Sequence, residues 1–226
     1  CKKQALKAAL ETAVDQMGAE KYEEIVETIK KAVSVGTSPV LGHDFFDDYE
    51  ARFTTLKRAC IPTGIDELDV KEIMNGGLGK GELGVVVAPT GVGKSHFLTM
   101  LGANAMRNGT NVLHYTFELS ETQVGVRYDS NLCDVDSNLV IDKKNEIIEK
   151  YKDSKLGRLK IKEYPTNTAT VHTIRNHIER LSLRGWDPGL IIIDYADIMR
   201  SSRQFDSLRH ELKLVYEELR GLAHEK

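Results

Sequence analysis

A run of small apolar residues, Gly84-Val85-Val86-Val87, passes straight into Ala88-Pro89-Thr90-Gly91-Val92-Gly93-Lys94-Ser95, and a helical pattern begins at once. Few sequences constrain a chain more. A short buried strand ending in a glycine-punctuated loop at a helix start aims successive backbone N–H groups and the positive helix end at one point, and a polyphosphate fits there. In such a P-loop, Lys94 reaches the β- and γ-phosphates and the Ser95 hydroxyl ligates Mg²⁺. Ala88, Pro89, Thr90, Gly91, Val92, Gly93, Lys94, Ser95 and His96 are the expected nucleotide-contacting residues. The first glycine of the usual pattern is Ala88 here, so the match rests on Gly91, Gly93, Lys94 and Ser95.

A length of 226 residues suits one α/β domain with an appendage, and 41% hydrophobic residues supply a sizeable core. No apolar run approaches the ~18 residues of a membrane span, and no signal-peptide pattern is present, so a soluble, cytoplasmic protein is expected. Cys1, Cys60 and Cys133 are scattered and odd in number, which favours a reducing compartment over a disulfide framework. The seven histidines show no metal-ligand spacing, and His172 and His177 read as polar residues of a helix. With a net charge of −3, any nucleic-acid contact needs a local basic path. The chain starts at Cys1 and stops at Lys226 inside a helical pattern, so a longer parent protein is expected.

Residues 3–17 and 20–33 read as two amphipathic helices divided by Gly18, with Tyr22, Ile25, Val26, Ile29 and Val33 at helical spacing. A glycine- and proline-broken loop follows over 34–42, and the acidic, aromatic stretch 44–50 reads as a short helix. The expected division is a helical N-terminal or linker segment, 1–57, and an ATPase core, 58–226. From Ile61 the texture changes to strand–helix alternation. The pattern predicts a short helix over 65–74, the strand before the P-loop, a helix after Lys94, a strand over 111–117 and a helix over 121–132. Beyond these come a polar helical stretch after Asp142, a strand over 159–163, a helix over 170–184, the apolar strand Leu190-Ile191-Ile192-Ile193 and a last helix from Phe205. Such alternation implies α/β architecture with a mostly parallel sheet flanked by helices, and an unalternating apolar run suits a parallel strand covered on both faces.

The chemistry needs acids beside the P-loop. Asp194, directly after the run Leu190 to Ile193, fits the Walker B role of holding Mg²⁺. Glu118 follows the strand after the P-loop helix, on the rim where a base could orient the attacking water. Glu121 reads as an ordinary acid at a helix start.

Together these residues resemble the RecA-like motor domain of DnaB-family replicative helicases, especially the bacteriophage T4 type. The likeness runs through Ile61-Pro62-Thr63-Gly64-Ile65-Asp66-Glu67-Leu68-Asp69, Asn75-Gly76-Gly77-Leu78, the P-loop, and Tyr115-Thr116-Phe117-Glu118-Leu119-Ser120-Glu121 with Arg127 downstream. It continues through Lys162-Glu163-Tyr164-Pro165-Thr166 and Ile193-Asp194-Tyr195. That family tolerates Ala at the position of Ala88. The resemblance implies a RecA-like P-loop NTPase using ATP and Mg²⁺, with Lys94 and Glu118 catalytic and Ser95 and Asp194 on the metal. It further implies a homo-hexameric ring moving 5′ to 3′ on single-stranded DNA, Arg200 and Arg203 as DNA contacts, and a primase and a helicase loader as partners. Residues 42–53 resemble the segment that docks on a neighbouring protomer. Asp197 stands where bacterial relatives usually carry Gln, and its role stays open. The sensor strand and arginine-finger elements of the family lie past Lys226, so weak hydrolysis by this chain alone is expected. Two other readings keep the same motifs: a RecA/RadA-type recombinase or KaiC-like ATPase, and a non-catalytic nucleotide-gated clamp or loader.

Overall fold

The structure, a computed structural model, describes residues 59–152 and 154–225, with 9–14, 17, 25, 45–46 and 50 from the preceding part of the chain. The chain divides into two compact units, Cys1–Lys57 and Arg58–Lys226. In the first, residues 9–14, 17 and 25 are helical, and Ala9 and Ala13 are its buried side chains among the described residues. Phe45 and Phe46 form a turn with their rings edge to face, 5.2 Å between centroids. The whole 34–42 loop, and the remainder of the expected helices and of the docking segment 42–53, lie outside the described residues.

The second unit opens with a two-stranded antiparallel ladder, β1 (Cys60–Ile61) against β2 (Leu78–Gly79). Between them the expected helix over 65–74 shrinks to one turn, α1 (Asp66–Asp69). None of its residues is buried, so no apolar contact extends it. Asp69 instead turns back, and its carboxylate accepts bonds from the Thr63 N–H, the Thr63 hydroxyl and the Gly64 N–H at 2.9–3.0 Å.

Strand–helix alternation follows. The elements are α2 (Lys94–Arg107), β3 (Val112–Thr116), α3 (Glu121–Cys133), α4 (Lys144–Lys152), β4 (Leu159–Glu163), α5 (Val171–Ser182), β5 (Leu190–Asp194) and α6 (Leu208–Glu225). One-turn 3₁₀ segments lie at Ser137–Leu139 and Ala196–Ile198. Strand order is β4–β3–β5, all parallel, with Thr116 opposite both Glu163 and Asp194. The three strands therefore end level, and whatever follows each shares one rim.

β3 is the spine of the core, with all five residues buried. Its alternate side chains face opposite layers, as the two-residue strand period requires. Leu113, Tyr115 and the following Phe117 pack with Ile174 and Ile178 of α5 and Val215, Leu219 and Leu222 of α6. Val112 packs with Ala103, Ala105 and Met106 of α2 and Val124 and Tyr128 of α3. Each such fully buried aliphatic side chain contributes about 1.5–3 kcal/mol over an exposed one. Polar groups of β3 find partners across the layers: His114 Nδ1 lies 3.0 Å from the Tyr128 hydroxyl, and the Tyr115 hydroxyl 2.9 Å from His177 Nδ1, while His114 Nε2 is buried without one.

Two expectations fail at the edge of this sheet. The residues before the P-loop are neither strand nor buried: 82–89 carry no assigned secondary structure, and Val85 and Val87 are 54% and 88% exposed. β5, in turn, pairs with β3 alone among the described residues and is covered unevenly rather than on both faces. The causes are linked. A strand forms only against a partner, and a cavity of about 420 Å³ lined by Leu83, Gly84, Leu190 and Ile193 separates the two segments.

Candidate nucleotide site

The loop before α2 needs glycine at two points. Gly91 has φ +82° and Gly93 φ +102°, a left-handed backbone that strains any L side chain. A Cβ at either position would meet no atom within 4 Å, so the requirement is conformational and the space above the loop is open. Gly93 is the N-cap of the 14-residue α2 and brings no side-chain cap, which leaves the first-turn N–H groups without an intrahelical partner. Lys94 arches back over its own loop, its ammonium donating to the carbonyls of Ala88 at 2.8 Å and Pro89 at 3.3 Å.

Asp194 ends β5 beside this loop. It is 1% exposed, its Oδ1 is buried without a hydrogen-bond partner, and the Ser95 side chain lies beside the carboxylate. Burial lifts its pKa above the ordinary 3.8. The Ser95 side chain opposes that lift, the negative charge of Glu118 adds to it, and the cations Arg127 and Lys94 oppose it. A buried carboxylate oxygen beside a hydroxyl, with charge to spare, suits a divalent cation held jointly with phosphate. Among the described residues no cluster of three or more His, Cys, Asp or Glu forms a self-sufficient metal site.

Glu118 is exposed and stands two residues beyond β3, on the same rim as Asp194. Its turn is fastened by Thr116, whose buried hydroxyl donates to the Leu119 carbonyl at 2.9 Å and accepts from the Leu119 N–H at 3.0 Å. The Phe117 N–H donates to the Asp194 carbonyl at 2.9 Å, tying the two acids' strand ends together. Ser120 then caps α3 in a capping box with Gln123. Glu121 faces away from this work. Its carboxylate accepts from the Glu163 N–H at 3.0 Å and from Lys162 at 3.3 Å, clipping α3 to β4.

A cavity of about 610 Å³ gathers these parts. Of the residues expected from the sequence, Ala88, Pro89, Thr90, Gly91, Gly93, Lys94, Ser95, His96 and Glu118 line it. Asp194 sits next to it through Ser95, while Val92 is 68% exposed and does not line it. Arg200 and Arg203 are exposed on the loop after Ala196–Ile198 and stand outside the cavity. Beyond the approach segment 85–87, four lining residues were not expected: Arg127 of α3, Tyr195, Asp197 and, from α6, Tyr216. The Tyr216 hydroxyl donates to Asp197 Oδ1 at 2.6 Å. Arg127 and Tyr195 fall within the motifs quoted above and could have been found there. Tyr216 carries no signal in sequence, because only the packing of α6 brings it to the rim.

Residues 60–226 match the family described as DnaB-like helicase C terminal domain. The chain is 33% identical over 212 residues to the DnaB-like replicative helicase of Enterobacteria phage T4, covering 89% of this chain and 45% of that protein. It is 26% identical over 170 residues to the replicative DNA helicase DnaB of Helicobacter pylori, covering 73% and 34%. A DNA repair protein RadA of Mycobacterium tuberculosis is 28% identical over 145 residues, 64% of this chain and 24% of that one. The chain thus spans less than half the length of these curated relatives. Two solved structures share the fold. One, of a DnaB-like replicative helicase and its interactions with primase, has a TM-score of 0.63 at 14% identity and covers 99% of this chain and 55% of its own. The other, described as an ATPase domain, has a TM-score of 0.61 at 19% identity, covering 78% and 64%. A parallel α/β sheet, a P-loop at one rim and this match over most of the chain agree: the protein belongs to the DnaB-like helicase C-terminal domain family.

Proposed function

We propose that residues 58–226 form the ATP-hydrolysing motor of a replicative DNA helicase, with residues 1–57 as its helical linker. The observation that carries this reading is the meeting of Lys94, Ser95 and Glu118 on one cavity, with the buried Asp194 carboxylate against Ser95. In this reading the loop 88–95 and the α2 terminus bind the phosphates, and Lys94 exchanges its carbonyl partners for phosphate oxygens. Ser95 and Asp194 would hold Mg²⁺, a fit supported by the unpartnered Asp194 oxygen. When bound, the ion neutralises charge on the β- and γ-phosphate oxygens. Glu118 orients and deprotonates the water that attacks the γ-phosphorus, while Thr116 keeps it at the rim. Arg127 places a fixed positive charge near Asp194, where phosphate charge would otherwise be repelled.

Work on DNA follows from the same proposal. Six copies assemble as a ring, and the loop carrying Arg200 and Arg203 contacts single-stranded DNA phosphates, moving it 5′ to 3′. A primase and a loader are the expected partners. Turnover by the isolated 226-residue chain is proposed to be weak, since groups from a neighbouring subunit complete such sites in phosphoryl transfer. Among the described residues no helix is long and apolar enough to cross a membrane, and a DNA substrate assigns the work to the cytoplasm. The RadA likeness supports a second reading, a recombination ATPase.

One experiment separates these readings. The full-length protein is given ATP and a forked duplex with a free 5′ arm, beside its Glu118→Gln variant. Unwinding by the wild type, and retained ATP binding with turnover lowered at least ~100-fold in the variant, are expected. Strand exchange without unwinding would favour the recombinase, and unchanged turnover would remove Glu118 from the mechanism.

A further inference from the structure

The Tyr216–Asp197 hydrogen bond joins two elements that a single loop connects. Asp197 belongs to the 3₁₀ turn Ala196–Ile198, three residues after Asp194, and is exposed on the wall of the nucleotide cavity. Tyr216 lies in the middle of α6, half-buried against the core cluster that includes Met199, Val215 and Leu219. Loop 199–207, with Arg200 and Arg203, runs from that turn to the start of α6. At 2.6 Å the contact is in the range of a hydroxyl bonded to an ionised carboxylate, among the stronger protein hydrogen bonds. Burial, with Asp197 beside it, pushes the phenol up to about 12, so it stays a donor throughout the neutral range.

The rest of the loop is fastened to the same helix. The Ser202 hydroxyl bonds Glu218, and the Phe205 N–H donates to Glu211 at 3.1 Å. At its start, the Arg200 N–H donates to the Ala169 carbonyl at 3.0 Å, which fixes it to the residue preceding the α5 cap. α6 thus backs the whole loop, and of these anchors the Asp197–Tyr216 pair also lines the nucleotide cavity.

We propose that Tyr216 is a positioning residue whose bond to Asp197 couples loop 199–207 to the nucleotide cavity, so that strand contact at Arg200 and Arg203 and nucleotide contact at Lys94 and Ser95 change each other's affinity. This rests on the reading of the cavity as an ATP site and of the loop as a DNA contact. A displacement of the loop moves the carboxylate that Tyr216 holds, and a ligand in the cavity biases the same carboxylate from the other side. Coupling between two sites is reciprocal, so it can be read from either ligand.

The test uses the full-length protein with Mg²⁺ and a fluorescent, slowly hydrolysed ATP analogue, titrated with and without single-stranded oligothymidylate. The readout is the ratio of the two dissociation constants. In the wild type the ratio differs from one, within the ~5–150-fold span usual for coupled sites. Tyr216→Phe keeps the ring and its packing, and brings the ratio at least about fivefold nearer to one. Asp197→Asn retains an acceptor oxygen for the phenol and keeps most of the coupling, whereas Asp197→Ala loses it. Because the readout is a ratio, a uniform change in nucleotide affinity leaves it unmoved. A wild-type ratio in Tyr216→Phe, or equal ratios in Asp197→Asn and Asp197→Ala, overturns the inference. If Tyr216→Phe does not fold, the two Asp197 variants decide. A wild type that binds nucleotide without responding to the strand refutes this coupling and leaves the ATP site standing. One that binds no nucleotide refutes the ATP site itself, and the coupling with it.

Discussion

Replacing His114 with Asn should flatten the acid side of the stability profile. His114 is wholly buried in the central strand, and its Nδ1 meets the Tyr128 hydroxyl while Nε2 has no partner. Burial, reinforced by the positive charge of Arg127, lowers its pKa from 6.5 to about 4. Between those values the unfolded chain binds a proton that the folded one refuses, so stability rises with pH through this window and is lost as pH falls through it. At about 1.4 kcal/mol per pKa unit, the full shift is worth about 3 kcal/mol, of which about 2 kcal/mol is lost between pH 7 and pH 5. For a chain of this size that is a fall in Tm of about 4–8 °C. His114→Asn keeps a polar atom near the Tyr128 hydroxyl and cannot take up the proton. It should be less stable at neutral pH, through lost volume, but should lack this component of the acid decline. Thermal unfolding across the pH series, wild type against variant, reads the difference directly. Parallel profiles for the two proteins would show that His114 does not carry the acid decline.

Other predictions follow from the rim. Thr116→Val removes the hydroxyl that fastens the Glu118 turn and leaves the Leu119 N–H and carbonyl without it. It should cost about 1–2 kcal/mol of stability, and in the full-length protein it should lower kcat more than it raises KM, measured by steady-state ATP hydrolysis. Arg200→Ala and Arg203→Ala should each weaken single-stranded DNA binding across all sequences. Each should reduce the slope of log affinity against log salt by about 1, as read by fluorescence anisotropy at several salt concentrations.

How much of the structure is legible in the sequence depends on whether a residue's partner lies nearby along the chain. β4 at Leu159–Glu163 and the apolar run of β5 were readable from composition and punctuation, and α5 from Val171, Ile174, Ile178 and Leu181, a buried stripe at helical spacing. The level strand ends that bring Glu118 near Asp194 followed from parallel pairing. Burial was less legible. Val-Leu-His-Tyr-Thr of β3 is more polar than Leu-Ile-Ile-Ile of β5, yet β3 is the buried strand. Apart from His114 Nε2, its polar side-chain groups meet Tyr128, His177 and Leu119, partners that hydropathy cannot reveal. The valines before the P-loop show the converse, since apolar character without a pairing strand left them exposed. Tyr216 was invisible for a third reason: helical period sets which face it occupies, while only the docking of α6 sets what that face meets.

The loop 88–95 is proposed to bind nucleotide phosphate through Lys94. Equilibrium titration of a fluorescent ATP analogue with Mg²⁺ into the full-length protein tests it most directly, comparing wild type, Glu118→Gln and Lys94→Ala. Removing the ammonium partner of a phosphate should weaken binding about 10- to 100-fold or more, while Glu118→Gln binds as the wild type does. A Lys94→Ala protein that binds the analogue as tightly as the wild type would contradict the account.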